Sequence, residues 1–475
     1  MDRPKQKIGV VGAGTMGCGI AEVAATAGHE VVVIDASADA LEQASMSFRR
    51  SLATQSTRGK VGVEDAERIA SLVTWSTNLS SASNAVLLIE AIVERLDIKQ
   101  GLFADLAALT TADTILASNT SSLSIDAIAN CLPDPGRLVG VHFFNPVPVM
   151  PLVEIVAGPR TDPLLVTRAA AMMREWGKHP VIVRDLPGFI VNRIARPFYA
   201  EAFMAWDEGL APDDIDLALK GAGGFRMGPL ALADMIGHDV NYVAAKTVFD
   251  ALQPNTRFRP QPIQQRLVEQ GRLGRKSKSG VFDYPHSALK VQPITASHAQ
   301  EILAGADADA FNWSNARMSS TVPDGCIRVD DVVMALGDGR MLRERPDVDV
   351  LLDDGLDPTG ASVLVATARN AHALDAGYRL AARFAKKLVA VPDRPGQLVL
   401  RTWCQIANAA ADALRDEVAS ADAIDEAMRF GANYPLGPLE WARRRGVASI
   451  KRVLGNIRAA TRDPIYDPSD GFDLL

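Results

Sequence analysis

The sequence predicts an α/β domain followed by an all-α domain, then a reduced α/β domain and a second copy of the all-α domain. Three observations predict this. Strand-like and helix-like stretches alternate up to residue 184, the pattern of a mostly parallel sheet covered on both faces. From Phe189 to about Gln270 long apolar-periodic segments replace the strand signals. Anchors of that helical stretch then recur in order near the end of the chain. Pro395-Gly396 echoes Pro187-Gly188, and Arg401 echoes Arg193. Ala423-Ile424-Asp425 echoes Asp214-Ile215-Asp216, and Gly437-Pro438-Leu439 echoes Gly228-Pro229-Leu230.

The first elements are the most informative. Lys7–Val11 is a β-branched run, read as a buried strand, and Met16–Thr26 is small and apolar, read as a helix. Between them Gly12, Gly14 and Gly17 have G-x-G-x-x-G spacing, and Glu30–Asp35 is a second apolar run ending in an acid. Gly12 permits a tight turn, Gly14 lets a pyrophosphate approach the backbone, and Gly17 lets the helix pack on the strand. The helix start at Thr15 and Met16 offers free N–H groups to phosphate. Asp35 stands where a carboxylate accepts hydrogen bonds from a ribose diol and repels a 2′-phosphate. The stretch therefore reads as a Rossmann domain for NAD rather than NADP, against the alternative of a Gly-rich turn that binds nothing.

Further helices are expected at Ala38–Ser56, Val63–Ser71 and Ile98–Ala108, with a basic turn at Thr57–Lys60. Strands are expected at Ala85–Glu90, Thr114–Ser118, Arg137–Phe143, Leu152–Ala157 and Pro180–Arg184. The predicted boundaries are 1–184 for the nucleotide domain, 185–285 for the first helical domain and 286–324 for a linker. The reduced α/β domain follows at 325–392 and the second helical domain at 393–475. In the reduced domain Ile327–Leu336 and Ser362–Thr367 read as strands and Arg369–Phe384 as a helix. Its Gly337-Asp338-Gly339 turn has Leu342 in place of a third glycine, so no dinucleotide is assigned to it.

Composition sets outer bounds. Apolar residues make up 48% of the 475 residues and charged ones 23%, an ordinary globular balance. A net charge of −7 argues against sequence-independent nucleic-acid binding. Four scattered cysteines without C-x-x-C predict neither zinc nor a disulfide framework, but reduced thiols in the cytoplasm. No signal peptide or membrane span is expected, because no apolar run reaches bilayer length.

Ser118–Ser122 (SNTSS) and Val141–Val156 (VHFFNPVPVMPLVEIV), with the glycine fingerprint, Pro187–Arg193 and Gly228-Pro229, resemble the L-3-hydroxyacyl-CoA dehydrogenase family. The layout of the whole chain resembles the subgroup acting on 3-hydroxyadipyl-CoA in phenylacetate degradation. The resemblance implies an NAD-dependent oxidation of a 3-hydroxyacyl-CoA. Read from the residues, such a reaction needs a base for the hydroxyl proton. His142, one of seven histidines, lies at a strand end, and Glu154 lies inside an apolar run where a carboxylate needs a partner. The family dyad carries over to these two. The resemblance further implies that Ser121 and Asn192 hold the substrate oxygen, and that Asn145, Glu94, Lys99 and Lys276 contact the cofactor. Lys60 lies near the family's CoA contact. Arg196 and Arg226 are candidates for a distal substrate carboxylate.

Two departures stand out: Pro151 replaces a common lysine, and Arg226 a common proline. Leu400 stands where the first helical copy has Asn192, and the second α/β region has no HFFN string, so the second half reads as non-catalytic. The two helical copies are expected to pack as an intrachain pseudo-dimer, with a homo-oligomer also open. The alternatives are a 3-hydroxybutyryl-CoA dehydrogenase, a non-catalytic NAD-binding structural protein and, more weakly, a sugar-acid oxidoreductase.

Overall fold

The fold comes from a computed structural model that describes residues 6–252, 256–286, 326–356 and 361–475. The linker expected over 286–324 lies, apart from His286, outside the described residues. The chain forms two compact units. One comprises Met1–Val191 and Glu417–Ala432, the other Asn192–Asp416 and Asn433–Leu475.

The first unit is built on eight strands: β1 Lys7–Val11, β2 Glu30–Ile34, β3 Val73–Ser76, β4 Leu87–Glu90, β5 Ile115–Ser118, β6 Leu138–Phe143, β7 Leu152–Ala157 and β8 His179–Arg184. Their order is β3-β2-β1-β4-β5-β6-β7-β8, and every neighbouring pair is parallel except β6–β7. The central strands are mostly apolar runs buried along almost their full length, as a sheet covered on both faces requires. Their side chains pack in one core with Ile20, Leu41, Phe48 and Met173 from the helices. Each fully buried Val, Ile or Leu contributes roughly 1.5–3 kcal/mol.

The sequence missed β3, a four-residue edge strand whose second position is exposed and which therefore lacks an apolar run. It also missed the helix Pro163–Glu175, which Asp162 caps through the N–H of Leu164. One further helix of this unit, Ala421–Gly431, comes from the distant second half of the chain and packs on β7 and β8. Gly431 makes the fit: a Cβ there would stand 2.3 Å from Leu152 Cδ2 and 2.9 Å from Val191 Cγ2.

The second unit holds the helices Arg196–Asp207, Pro212–Gly221, Pro229–Ile236, His238–Ala251 and Pro262–Glu269, then a five-stranded sheet, then Val399–Arg415, Pro438–Arg445 and Val447–Thr461. The strands are β9 Cys326–Val329, β10 Val332–Leu336, β11 Val350–Leu352, β12 Val363–Ala368 and β13 Lys387–Ala390, in the order β13-β12-β11-β10-β9. The single strand expected over Ile327–Leu336 is a hairpin, because Asp330 adopts a left-handed φ of 55° and turns the chain.

Pairing senses place the glycine turn of this sheet. β10–β11 is parallel, β11–β12 antiparallel and β12–β13 parallel, the senses of β5–β6, β6–β7 and β7–β8. Gly337-Asp338-Gly339 follows β10, so by pairing it corresponds to the segment after β5 and not to the glycine turn after β1.

Within this unit Arg196–Asp207 packs along Val399–Arg415. Trp403 donates from Nε1 to Gly223 O at 3.1 Å and stacks between Phe225 and Trp441. Arg401, 3% exposed, sits 2.7 Å from Glu201 Oε2, and Tyr466 Oη donates to Glu201 Oε1 at 2.8 Å.

Candidate functional site

The site of the first unit lies at the carboxyl ends of its parallel strands, where an open α/β sheet places ligands. Each glycine behaves as its spacing requires. Gly12 has a φ of 109°, and a Cβ on it would stand 2.5 Å from Ala91 O. A Cβ on Gly17 would stand 1.8 Å from Gly12 O, so helix and strand close to a distance only glycine allows. Gly14 has nothing within 4 Å, and it precedes a helix starting at exposed Thr15 and half-buried Met16 without a side-chain cap. Its open face and uncapped N–H groups fit a pyrophosphate. Asp35 follows β2; Oδ2 accepts from Ala13 N at 2.9 Å and Oδ1 from Ser37 N at 3.0 Å. The carboxylate is thereby fixed beside the turn, with lone pairs left for a ribose diol. These residues fit NAD.

His142 and Glu154 face each other across the one antiparallel pair of the sheet. His142 Nδ1 is 2.7 Å from Glu154 Oε2. The other carboxylate oxygen accepts from the N–H groups of Ile190 and Val191, both at 3.0 Å. Glu154 is fully buried and His142 is 5% exposed, bordered by the rings of Phe144 and Phe189. A carboxylate in that setting accepts, so Nδ1 carries the proton and Nε2 keeps a lone pair.

Beside it the SNTSS segment wraps around Glu94. Glu94 Oε1 accepts from Thr120 Oγ1 at 2.5 Å, Ser121 N at 3.0 Å, Ser122 N at 3.1 Å and Ser122 Oγ at 2.9 Å. Burial alone would raise its pKa, but Lys99 and these donors hold it below the ordinary value. Asn119 accepts from Phe143 N at 2.8 Å, joining this segment to the end of the His142 strand. Asn145 is exposed just beyond that strand. Lys178, which sequence reading passed over, donates to Val147 O and Met150 O at 2.5 and 2.8 Å and anchors the loop after Asn145. Burial draws its pKa down to about 8.

The remaining candidates are dispersed. Lys60 is exposed after the helix Ala38–Thr57. Lys99 is not the solvent-facing residue a lysine is by default: its side chain is 1% exposed and it pairs with Glu90 and Glu94. Asn192, Arg196, Arg226 and Lys276 belong to the second unit. There Arg196 is buried and donates to Asn241 O at 3.3 Å, Arg226 is exposed, and Lys276 pairs with Asp239 at 2.5 Å. Among the described residues there is no cluster that could hold a metal ion, and no helix is long and apolar enough to cross a membrane.

A doubly wound sheet with an open glycine turn, an acid after the second strand and a buried His–Glu pair defines an NAD-dependent oxidoreductase. The 3-hydroxyacyl-CoA dehydrogenase NAD-binding domain model matches residues 7–186, and the C-terminal domain model matches 188–284 and again 396–474. The chain belongs to the 3-hydroxyacyl-CoA dehydrogenase family. It is 40% identical to the 3-hydroxyadipyl-CoA dehydrogenase of Escherichia coli K12, over 98% of this chain and 96% of that one. A 3-hydroxybutyryl-CoA dehydrogenase of Bradyrhizobium diazoefficiens is 38% identical over 59% of this chain and 95% of its own. The crystal structure of a 3-hydroxybutyryl-CoA dehydrogenase from E. coli K12 superposes with a TM-score of 0.87 at 39% identity, covering 99% of this chain and 98% of that one.

Proposed function

We propose that the chain oxidises a (3S)-3-hydroxyacyl-CoA to the 3-oxoacyl-CoA with His142 as base. The 2.7 Å bond between His142 Nδ1 and Glu154 Oε2 carries this reading. Nε2 takes the hydroxyl proton. Glu154, held by two backbone N–H groups, fixes the tautomer and favours the imidazolium that forms. Bound NAD would supply the acceptor for the hydride of the carbinol carbon. Gly14, Thr15 and Met16 would hold its pyrophosphate and Asp35 its ribose. Ser121 and Asn192 position the reacting oxygen, and Asn145, Glu94 and Lys276 border the nicotinamide side. The test is His142→Gln: folded protein should bind NADH normally and lose about 10²–10⁴-fold in kcat. Near-normal turnover would remove the mechanism.

For the acyl chain we read a six-carbon dicarboxylic substrate, 3-hydroxyadipyl-CoA, as in the E. coli relative matched end to end. The crystal structure with TM-score 0.87 carries a 3-hydroxybutyryl name, which supports the short unbranched chain as the second reading. Exposed Arg226, rather than buried Arg196, is the cation left for an ω-carboxylate. Comparing kcat/KM for 3-hydroxyacyl-CoAs with and without that carboxylate decides between them. A cytoplasmic site of action fits such a pathway enzyme.

We further propose that the second half is a non-catalytic copy that completes an intrachain pseudo-dimer, with the domain boundaries read from the sequence. Two equivalent contacts support it. In the first unit Gly431, from the second helical copy, packs on Leu152 at the start of β7. In the second, Gly221 from the first copy packs on Val363 at the start of β12, where a Cβ would stand 2.3 Å from Val363 Cγ2. A chain ending at Pro285 should aggregate or dimerise. A monomeric, folded, fully active truncation would refute the proposal.

A further inference from the structure

One buried ion pair near the site, Glu90 with Lys99, has no role in the steps proposed above. Glu90 ends β4 and is fully buried; Lys99, in the first turn of the helix Leu96–Leu109, is 1% exposed. Lys99 Nζ lies 2.5 Å from Glu90 Oε1 and 3.1 Å from Glu94 Oε2. Glu90 Oε1 also accepts from Ile92 N at 2.8 Å, and Oε2 from Ser118 Oγ at 2.6 Å. Ser118 Oγ in turn accepts from Thr120 N at 3.2 Å. Two carboxylates thus share one ammonium, and between them they grip the backbone or hydroxyls of Ser118, Thr120, Ser121 and Ser122. The same strand end backs the glycine turn, where Ala91 N donates to Val11 O at 2.8 Å.

Taking Glu90 and Lys99 out of water costs several kcal/mol per ion, which an apolar core of the same volume would avoid, while Glu94 stays at the surface. Such a cluster therefore stabilises one geometry rather than the fold at large. Lys99, 1% exposed, has its ammonium between the two carboxylates. We propose that Glu90, through Lys99 and Ser118, is a positioning residue that fixes the Ser118–Ser122 segment and so the placement of Ser121. The inference rests on the reading that Ser121 holds the substrate oxygen. It adds that an acid making no contact with that oxygen sets its alignment.

The experiment compares Glu90→Gln, Ser118→Ala and Ser121→Ala in the full chain, using acetoacetyl-CoA and NADH. It measures kcat, KM and the NADH Kd by fluorescence. Misplacing a binding group by about 1 Å costs on the order of 10²-fold. Glu90→Gln should therefore lose about 10- to 100-fold in kcat, and Ser118→Ala about 3- to 10-fold, while the NADH Kd stays within about twofold. A purely structural role would lower the active fraction without this split. Wild-type kcat in Glu90→Gln, or a loss matched by weaker NADH binding, overturns the proposal. If Glu90→Gln does not fold, Ser118→Ala decides by the same criteria. A silent Ser121→Ala refutes the Ser121 reading itself, whereas an impaired Ser121→Ala beside a silent Glu90→Gln refutes only this inference.

Discussion

The two sheets of this chain share three successive strand pairings of the same senses and put them to opposite ends. Counting back from the shared Pro-Gly pairs, Asp353 stands opposite Val365 as His142 stands opposite Glu154; Asp353 N donates to Val365 O at 2.8 Å. The first pair is, in the mechanism we propose, a base and its orienting acid. The second cannot be, because valine has no proton to hold. Asp353 instead accepts from the N–H groups of Leu398, Val399 and Leu400 at 2.6–2.9 Å and caps the helix that follows. Glu154 does the same to Ile190 and Val191 with one oxygen only, which leaves the other for His142. The difference teaches that capping came with the framework, and that catalysis needs a second, unspent carboxylate oxygen.

The turns differ likewise. Gly14 is open, whereas a Cβ on Gly337 would stand 2.2 Å from Gln397 Oε1 and one on Gly339 2.5 Å from Val453 O. Gln397 is itself fixed by donating from Nε2 to Leu351 O at 2.9 Å. The space a ligand would need is filled by the protein.

The largest expected effect breaks the comparison at its centre. His142→Gln should abolish about 10²–10⁴ of kcat and leave Tm unchanged, while Asp353→Ala should leave kcat per folded molecule intact and cost roughly 1–3 kcal/mol of stability for the stranded N–H groups. Denaturant melts beside steady-state kinetics measure both. Next come the glycines. Gly14→Ala should weaken NADH binding by about tenfold, roughly the 1.4 kcal/mol of one obstructed phosphate contact, with an unchanged melt. Gly337→Ala should do the reverse, lowering Tm by crowding Gln397 while NADH titration is unaffected.

A smaller effect is the pH dependence of Asp353. Burial pushes its carboxyl above the usual range, and the three N–H groups pull it only part of the way back. The folded state then holds a proton that the unfolded state releases near pH 4, so this group's contribution to stability falls as pH rises from about 4 through its raised value. Asp353→Asn should flatten that slope in melts across pH 4–8. The smallest is Arg226→Ala, expected to change the preference for an ω-carboxylate by about 2- to 5-fold in kcat/KM, the value of one solvent-screened ion pair.

The particular residues show why reading succeeded where it did. The turn at Gly12, Gly14 and Gly17, Asp35 after β2, and His142 opposite Glu154 are set by local backbone rules and by a strand hairpin of fixed register. Their spacing along the chain is therefore their spacing in the molecule. Asp330 defeated the strand read over Ile327–Leu336, because one left-handed residue costs little and leaves no mark on hydropathy. Lys99 was read as a cofactor contact, and its burial was not legible because it depends on Glu90 and Glu94, which come from a different strand end and loop.

By itself the sequence determined the class of fold, the cofactor and which histidine and acid to look for together, since each follows from short-range pattern: period, glycine position, and an acid isolated in an apolar strand. Only the tertiary structure decided that Ala421–Gly431 covers the first sheet, that Gln397 fills the second turn, and that Glu90 and Lys99 brace the Ser121 segment. Those depend on contacts between residues far apart in sequence, whose energies come from packing and desolvation that no local pattern encodes.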